Sequence, residues 1–275
     1  MKTFVKLLIV SALCAFAVVA LAGCDKKQKE AALEVIKIGA SPTPHAEILA
    51  QAVATLKDKG YQLEIIEFDD YVMPNNALDN GDIDANYFQH TPYLVDFNNK
   101  NQLKNKLVSA GIIHFEPLGI YPGKTKDLKE VKKGWVIGIP SDPTNGARAL
   151  WLLDNLGLIK VKESAGFEAT EMDIESNPNE IVIKPLEAAQ LPASLPDLDF
   201  AVINGNYALG AGIMNSVLAT EGKDSQSAMT FGNVIAVREA DLEKASVKAL
   251  IDALKTEQVR KYMEDSYKGV VIPVN

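Results

Sequence analysis

From Val35 onward the chain alternates short apolar or β-branched runs with longer runs in which apolar side chains recur at three and four residues. Val35-Ile36-Lys37-Ile38 predicts a strand, and Ile48, Leu49, Ala52, Val53 and Leu56 predict the helix that follows it. Leu63 to Phe68 and Leu107 to Phe115 read as further strands, with a helix opened between them by the cap and early proline of Thr91-Pro92. A second alternating set follows: Trp135 to Ile139, a helix holding Ala149 to Leu156, Ile181 to Ile183, and Phe200 to Ile203. This is the pattern of an α/β protein whose helices cover a sheet. The Pro- and Gly-containing segment Phe115 to Lys126 and the extended run Met229 to Val237 read as crossovers, which favours two lobes over one continuous doubly wound sheet. The expected division is lobe 1 at residues 34–117 and 232–275 and lobe 2 at residues 118–231. Val247, Leu250, Ile251 and Leu254 form a helical stripe that belongs back on lobe 1.

The N-terminus departs from this alternation. Lys2 and Lys6 precede an apolar run from Leu7 to Gly23, shorter than a bilayer-spanning helix needs, so residues 1–23 read as a secretory signal. The run ends in Leu21-Ala22-Gly23-Cys24, which resembles a bacterial lipobox; that resemblance implies cleavage before Cys24 and lipidation of its thiol. Residues 24–33, charged and without large side chains until Leu33, read as a tether. The other cysteine, Cys14, leaves with the signal, so the mature chain has neither a disulfide nor a thiol catalyst.

A hydrophobic content of 47% over 275 residues allows a full core without staples, and a net charge of −8 argues against a nucleic-acid partner. Catalytic motifs fail one by one. Gly119-Ile120-Tyr121-Pro122-Gly123-Lys124-Thr125 has three residues where a phosphate loop needs four, and reads as a plain turn. Asp79, Asp82 and Asp84 around Gly81 miss the spacing of a calcium loop. The histidines His45, His90 and His114 lie far apart in sequence, without zinc-site spacing. No catalytic residue, metal or cofactor is expected.

Two segments look like the walls of a pocket. In Ala85-Asn86-Tyr87-Phe88-Gln89-His90 a strand runs straight into a helix, the end of an α/β strand where ligands bind. Period two puts Asn86, Phe88 and His90 on one face with Tyr87 turned away, and Tyr93 lies one helical turn on. In Ser141-Asp142-Pro143-Thr144-Asn145-Gly146-Ala147-Arg148 a second strand ends at a helix start, where anions are favoured. Arg148, one of only three arginines, can grip a carboxylate there, whether a ligand's or a neighbouring side chain's. Asn204, after Val202-Ile203, either meets a ligand or caps the helix of Tyr207.

These segments, together with Asp70-Tyr71-Val72-Met73-Pro74-Asn75 and Leu186-Glu187-Ala188-Ala189-Gln190-Leu191-Pro192, resemble in order and spacing the MetQ/NlpA methionine-binding lipoproteins, over essentially the whole mature chain. The resemblance implies a two-lobed periplasmic-binding-protein fold of type II with the ligand in the cleft between lobes. It further implies a non-enzymatic, lipid-anchored carrier outside the cytoplasmic membrane that delivers methionine to the permease and ATPase of an ABC importer. By position it assigns Tyr71, Phe88, His90 and Tyr93 to the ligand's side chain and Asn145, Arg148 and Asn204 to its backbone, with Phe115 and Glu187 as secondary candidates. The family also takes other methionine forms and a methionine-containing dipeptide, and an aromatic pocket suits leucine as well. Beyond the family, an adhesion or signalling lipoprotein, or an enzyme on the same fold, are the competing classes.

Overall fold

Glu34–Ala40 (β1) keeps the alternation of its sequence only at its start: Val35 and Lys37 face water, while Ile36, Ile38, Gly39 and Ala40 are buried. The strand is deepest where a side chain would not fit, since a Cβ on Gly39 would meet the Phe68 ring at 2.8 Å and Ile83 at 2.9 Å. The structure, a computed structural model, describes residues 32–129, 132–222 and 230–274. The signal sequence, Cys24 and all but the last two residues of the tether lie outside the described residues.

After β1 come Glu47–Asp58 (α1), Tyr61–Glu67 (β2), Met73–Asn80 (α2), Ala85–His90 (β3), Thr91–Lys100 (α3) and Leu107–Phe115 (β4). Gly119–Pro122 (β5), Val136–Pro140 (β6), Pro143–Asn155 (α4), Lys160–Val161 (β7), Ile174–Ser176 (β8) and Val182–Leu186 (β9) follow. Leu191–Ser194 (α5), Phe200–Ile203 (β10), Gly205–Gly210 (α6) and Ala219–Thr220 (β11) complete that half. The chain then returns through Asn233–Arg238 (β12), Ala245–Leu254 (α7), Glu257–Tyr267 (α8) and Ile272–Pro273 (β13).

Two mixed sheets result. The first has the order β13-β4-β12-β3-β1-β2, parallel around β1 and antiparallel on either side of β12. The second has the order β11-β5-β10-β6-β9, with β6 parallel to β9 and β10, and β5 antiparallel to β10 and β11. Each sheet is covered on both faces. Ile36, Ile38 and Tyr87 pack with Ile48, Leu49, Leu56, Val247, Leu250 and Leu254, so the C-terminal stripe does return to the first sheet. On the second sheet, Ile120, Ile137, Ile139 and Phe200 pack under Leu150, Leu152 and Leu153 of α4. The fold is thus the two-lobed α/β arrangement that the sequence pattern predicts. Among the described residues, no helix is long and apolar enough to cross a membrane.

Four local expectations are corrected. Gly119–Pro122 is a strand and not a turn: it pairs along Phe200–Ile203, and only the residues after Pro122 bend. The connection from first to second sheet is therefore just 116–118. The cap of α3 is His90, whose side chain accepts the Tyr93 amide, while Thr91 is already helical. Met229 lies outside the described residues, and in the rest of the run expected to be extended from it the strand starts only at Asn233. Period two also fails along β3. Tyr87 pairs with Ile235 and Gln89 with Val234, so Phe88 is an extra residue, and the bulge resets which side chains share a face. Asn86 consequently turns to Asn75 and Gln89. The acids around Gly81 have structural work: Asp79 accepts the amides of Lys104 and Asn105, and Asp84 that of Lys37.

Candidate functional site

The ends of β3, β4, β6 and β10 and the start of β12 converge on one small cavity between the sheets. Tyr71, Phe88, His90, Tyr93, Asn145, Arg148 and Asn204 all line it. The two secondary candidates do not. Phe115 is buried beneath the Arg148 guanidinium, 5.5 Å from ring centre to Cζ, and Glu187 lies in a neighbouring groove beside Ser141. His45, Gln89, Glu116, Gly205, Asn206 and Asn233 complete the wall, and none of them was assigned to the pocket from the sequence.

One end of the cavity is aromatic. The rings of Tyr71, Phe88 and Tyr93 lie 5.8 to 6.0 Å apart in tilted and edge-on contacts. Tyr71 reaches across the cleft, donating its hydroxyl proton to Asn206 Oδ1 at 2.6 Å, with its ring 4.9 Å from Tyr207. Tyr207 in turn donates to the Asp69 carbonyl at 3.1 Å.

The other end is polar, and its hydrogen bonds form an ordered chain. His90 Nδ1 accepts the Tyr93 amide at 3.1 Å, so the ring proton is on Nε2, which donates to Asn145 Oδ1 at 3.1 Å. The carboxylate of Asp142, the cap of α4, takes both the backbone amide and Nδ2 of Asn145, which fixes the orientation of that side chain. Asn145 Oδ1 therefore accepts Nδ2 of Asn204 at 3.0 Å. Asn204 Oδ1 is left as a buried acceptor with no partner among the described residues. Asn204 stands at the cap position of α6, but its side chain makes no capping bond and turns to Asn145 instead.

Charge enters through Arg148 and Glu116. Arg148 is held by Glu221 in two bonds, Nε to Oε1 at 2.9 Å and Nη2 to Oε2 at 2.6 Å, and Nη2 also donates to the Glu116 carbonyl at 2.8 Å. Its guanidinium packs 4.6 Å from the Phe231 ring centre. Nη1 is the donor group these bonds leave over. Arg148 thus meets a neighbouring acid, as one sequence reading allowed, yet inside the cavity wall and not on the surface. The other arginines are elsewhere: Arg238 ties Leu78, Ile83 and Asp241 together, and Arg260 lies about 3.9 Å from Glu257 and Glu264.

The Glu116 carboxylate is buried among histidines that the sequence had set far apart. His114 Nε2 lies 2.7 Å and His45 Nε2 3.4 Å from its Oε1, and the Asn206 backbone amide also bonds it. A Cβ on Gly205 would come within 2.7 Å of its Oε2, so this side chain fits only over a glycine. Burial pushes the Glu116 carboxyl above the usual range, against the pull of His45 and Arg148. Burial likewise lowers His45 to about 4, His90 and His114 to about 3, so all three rings are neutral at neutral pH. His45, His114 and Glu116 are donor types that could hold a metal. At 2.7 Å, however, Nε2 and Oε1 are spent on each other as a hydrogen bond.

Comparison with known proteins agrees with this architecture. The family model of the NlpA lipoproteins matches residues 36–275. Outer membrane lipoprotein 3 of Mannheimia haemolytica is 40% identical over 87% of this chain and 90% of its own length. The D-methionine-binding lipoprotein MetQ of Salmonella typhimurium is 38% identical over 91% of each chain. Among solved structures, a nutrient binding protein from Burkholderia cenocepacia bound to methionine superposes with a TM-score of 0.82 at 40% identity, covering 87% of this chain and all of that one. With a family model spanning nearly the whole described body, the same two-lobed fold and relatives aligned end to end, this chain belongs to the NlpA lipoprotein family.

Proposed function

We propose that the chain is an extracytoplasmic solute-binding lipoprotein that captures methionine in the cavity between its lobes and passes it unchanged to the permease and ATPase of an ABC importer. The observation that carries this reading is the division of the cavity. An unpartnered buried acceptor, Asn204 Oδ1, and the Glu116 carboxylate face a cation's requirements, the remaining Arg148 donor faces an anion's, and an aromatic trio closes the far end. An α-amino acid with a flexible apolar side chain answers all three. Its ammonium would take Glu116 and Asn204, its carboxylate Arg148, and its thioether the edges of Tyr71, Phe88 and Tyr93, at about 0.3 to 1.5 kcal/mol per sulfur–aromatic contact. His90 and Asn145 act one step back, holding Asn204 in orientation. The names of the relatives support methionine in particular.

In the same reading, residues 34–117 and 232–275 form the lobe that supplies the aromatic end, residues 118–231 the lobe that carries Arg148 and Asn204, and Cys24 bears the lipid anchor. Because Glu221 already compensates Arg148, the carboxylate is held by donation more than by net charge. The ammonium end then dominates selection. L-Methionine at a thousandfold excess over its dissociation constant should raise the unfolding free energy by about 4 kcal/mol, or roughly 10 °C in melting temperature for a chain of this size. Mass spectrometry should return the ligand intact. Millimolar L-methionine that left the melting curve in place, or that came back chemically altered, would defeat the proposal.

A further inference from the structure

Behind the cavity wall, Glu116 is the outer end of a buried line of side chains that the binding of methionine does not by itself require. Tyr87, at the centre of β3 and fully buried, hydrogen-bonds His114 Nδ1 at the end of β4. The phenol is a donor here, because burial pushes its pKa well above the ordinary value and His114 uses its other nitrogen towards a carboxylate. The bond fixes the tautomer: with Nδ1 accepting from Tyr87, the ring proton of His114 sits on Nε2 and is directed at Glu116 Oε1. His45 Nε2 lies between Asn233 Oδ1 at 3.1 Å and the same Oε1 at 3.4 Å, while its Nδ1 has no partner among the described residues. Three of the four side chains Tyr87, His45, His114 and Glu116 come from separate strands or turns, and packing brings the rings of His45, Tyr87 and His114 within 4.6 to 5.4 Å of one another.

We infer that Tyr87 and His114 are positioning residues for ligand recognition: they lock the Glu116 carboxylate in place as an anion, and this lock makes the cavity select an α-amino group. The inference rests on the reading of Glu116 as the ammonium acceptor. A lone glutamate in such a site would be free to rotate away or to take up a proton, and in either state it offers an ammonium nothing. The Nε2 proton of His114 prevents both, since a hydrogen bond to a charged acceptor is worth about twice one between neutral groups. The groups facing Glu116 are His45 from the turn before α1, His114 from β4, Arg148 from α4 and the Asn206 amide from α6. Of these side chains only His114 has its other nitrogen buttressed by a further buried donor.

The test compares L-methionine with 4-(methylsulfanyl)butanoic acid, the same skeleton without the amino group, by calorimetry on the full-length chain in detergent across pH 5.5 to 8, above the range in which the carboxyl of the des-amino acid itself titrates. In the native protein the affinity for methionine should fall on acidification as Glu116 takes a proton, while the des-amino acid should show no such limb. Tyr87→Phe and His114→Leu should each move that limb to higher pH by about one unit, the size expected for losing a hydrogen bond to a charged group. Neither should change des-amino affinity more than about twofold, a range of a few tenths of a kcal/mol. His114→Gln, which keeps an N–H near the Nε2 position, should restore the native limb. An unmoved limb in Tyr87→Phe, or an equal loss of affinity for both ligands, overturns the lock. Glu116→Gln separates the two readings: if it leaves the preference for methionine over the des-amino acid intact, the ammonium assignment itself is wrong. If Glu116→Gln abolishes the preference while Tyr87→Phe changes nothing, only the lock fails.

Discussion

Replacing Arg148 by alanine is expected to destabilise the protein by about 3–5 kcal/mol before any ligand is added, the usual result of leaving one partner of a buried ion pair uncompensated. Arg148 and Glu221 are 3% and 8% exposed. Glu221 is further fixed by the Leu118 amide at 2.8 Å, so it cannot swing out to water when the guanidinium goes. The loss should be partly repaired in the double variant Arg148→Ala/Glu221→Gln, which removes the stranded charge but not the missing packing against Phe115 and Phe231. Methionine affinity should not be repaired, because Nη1 is absent from both variants. Denaturant unfolding gives the first quantity and calorimetry the second. If Arg148→Ala unfolds within about 1 kcal/mol of the parent, a value typical of exposed pairs, the pair is not the buried one described here.

Acidification from pH 7 to pH 5 is expected to lower the melting temperature by about 10 °C. The folded protein refuses protons at His45 until about pH 4 and at His90 and His114 until about pH 3. The unfolded chain accepts them near 6.5. In that window the unfolded state binds more protons, so the stability present above pH 6.5 is lost as pH falls towards 4. Each histidine contributes about 2 kcal/mol of that loss by pH 5. Glu116 and Asp142 work the other way: burial raises both, so the folded form holds their protons more readily, and acid relieves part of the strain. The net loss is therefore smaller than the histidine share of about 6 kcal/mol, at 2–4 °C per kcal/mol for a chain of this size. Scanning calorimetry at the two pH values checks it, and His114→Gln should flatten the dependence by roughly a third of the histidine share. An unchanged melting temperature between pH 7 and 5 would mean the rings are not buried neutral.

The alternation of short and long hydrophobic periods was enough to place most strands and helices, because buried strands such as Val136–Pro140 and Phe200–Ile203 carry their burial in composition. It misplaced Gly119–Pro122, whose glycine and proline suit a turn but which is held as a strand by Phe200–Ile203 alongside it, a tertiary effect. The bulge at Phe88 was invisible for a similar reason: it is set by the pairing with Asn233–Arg238, more than a hundred residues away. Side chains on or beside strand ends, Phe88, His90, Asn145, Arg148 and Asn204, could be picked out because chemistry and position coincided. Glu116 could not. One acid among the 36 acidic residues has no mark in sequence, and it becomes distinctive only when His45 and His114, 69 positions apart, are folded onto it. Asn233 and His45 are legible only as a pair, through their mutual contact.

The bonds that span the cleft, Tyr71 to Asn206, His90 to Asn145, Tyr207 to Asp69, Arg148 to the Glu116 carbonyl and the Asn206 amide to the Glu116 carboxylate, are made by the protein to itself. In the proposed carrier, a solute inside would leave at the pace at which these contacts give way together. Residence time and selectivity are then set by different residues. Tyr71→Phe, which keeps the aromatic wall and loses only the bond to Asn206, would shorten the stay without widening the choice of guest. In the proposed carrier, the hydroxyl of one tyrosine would act as the timer.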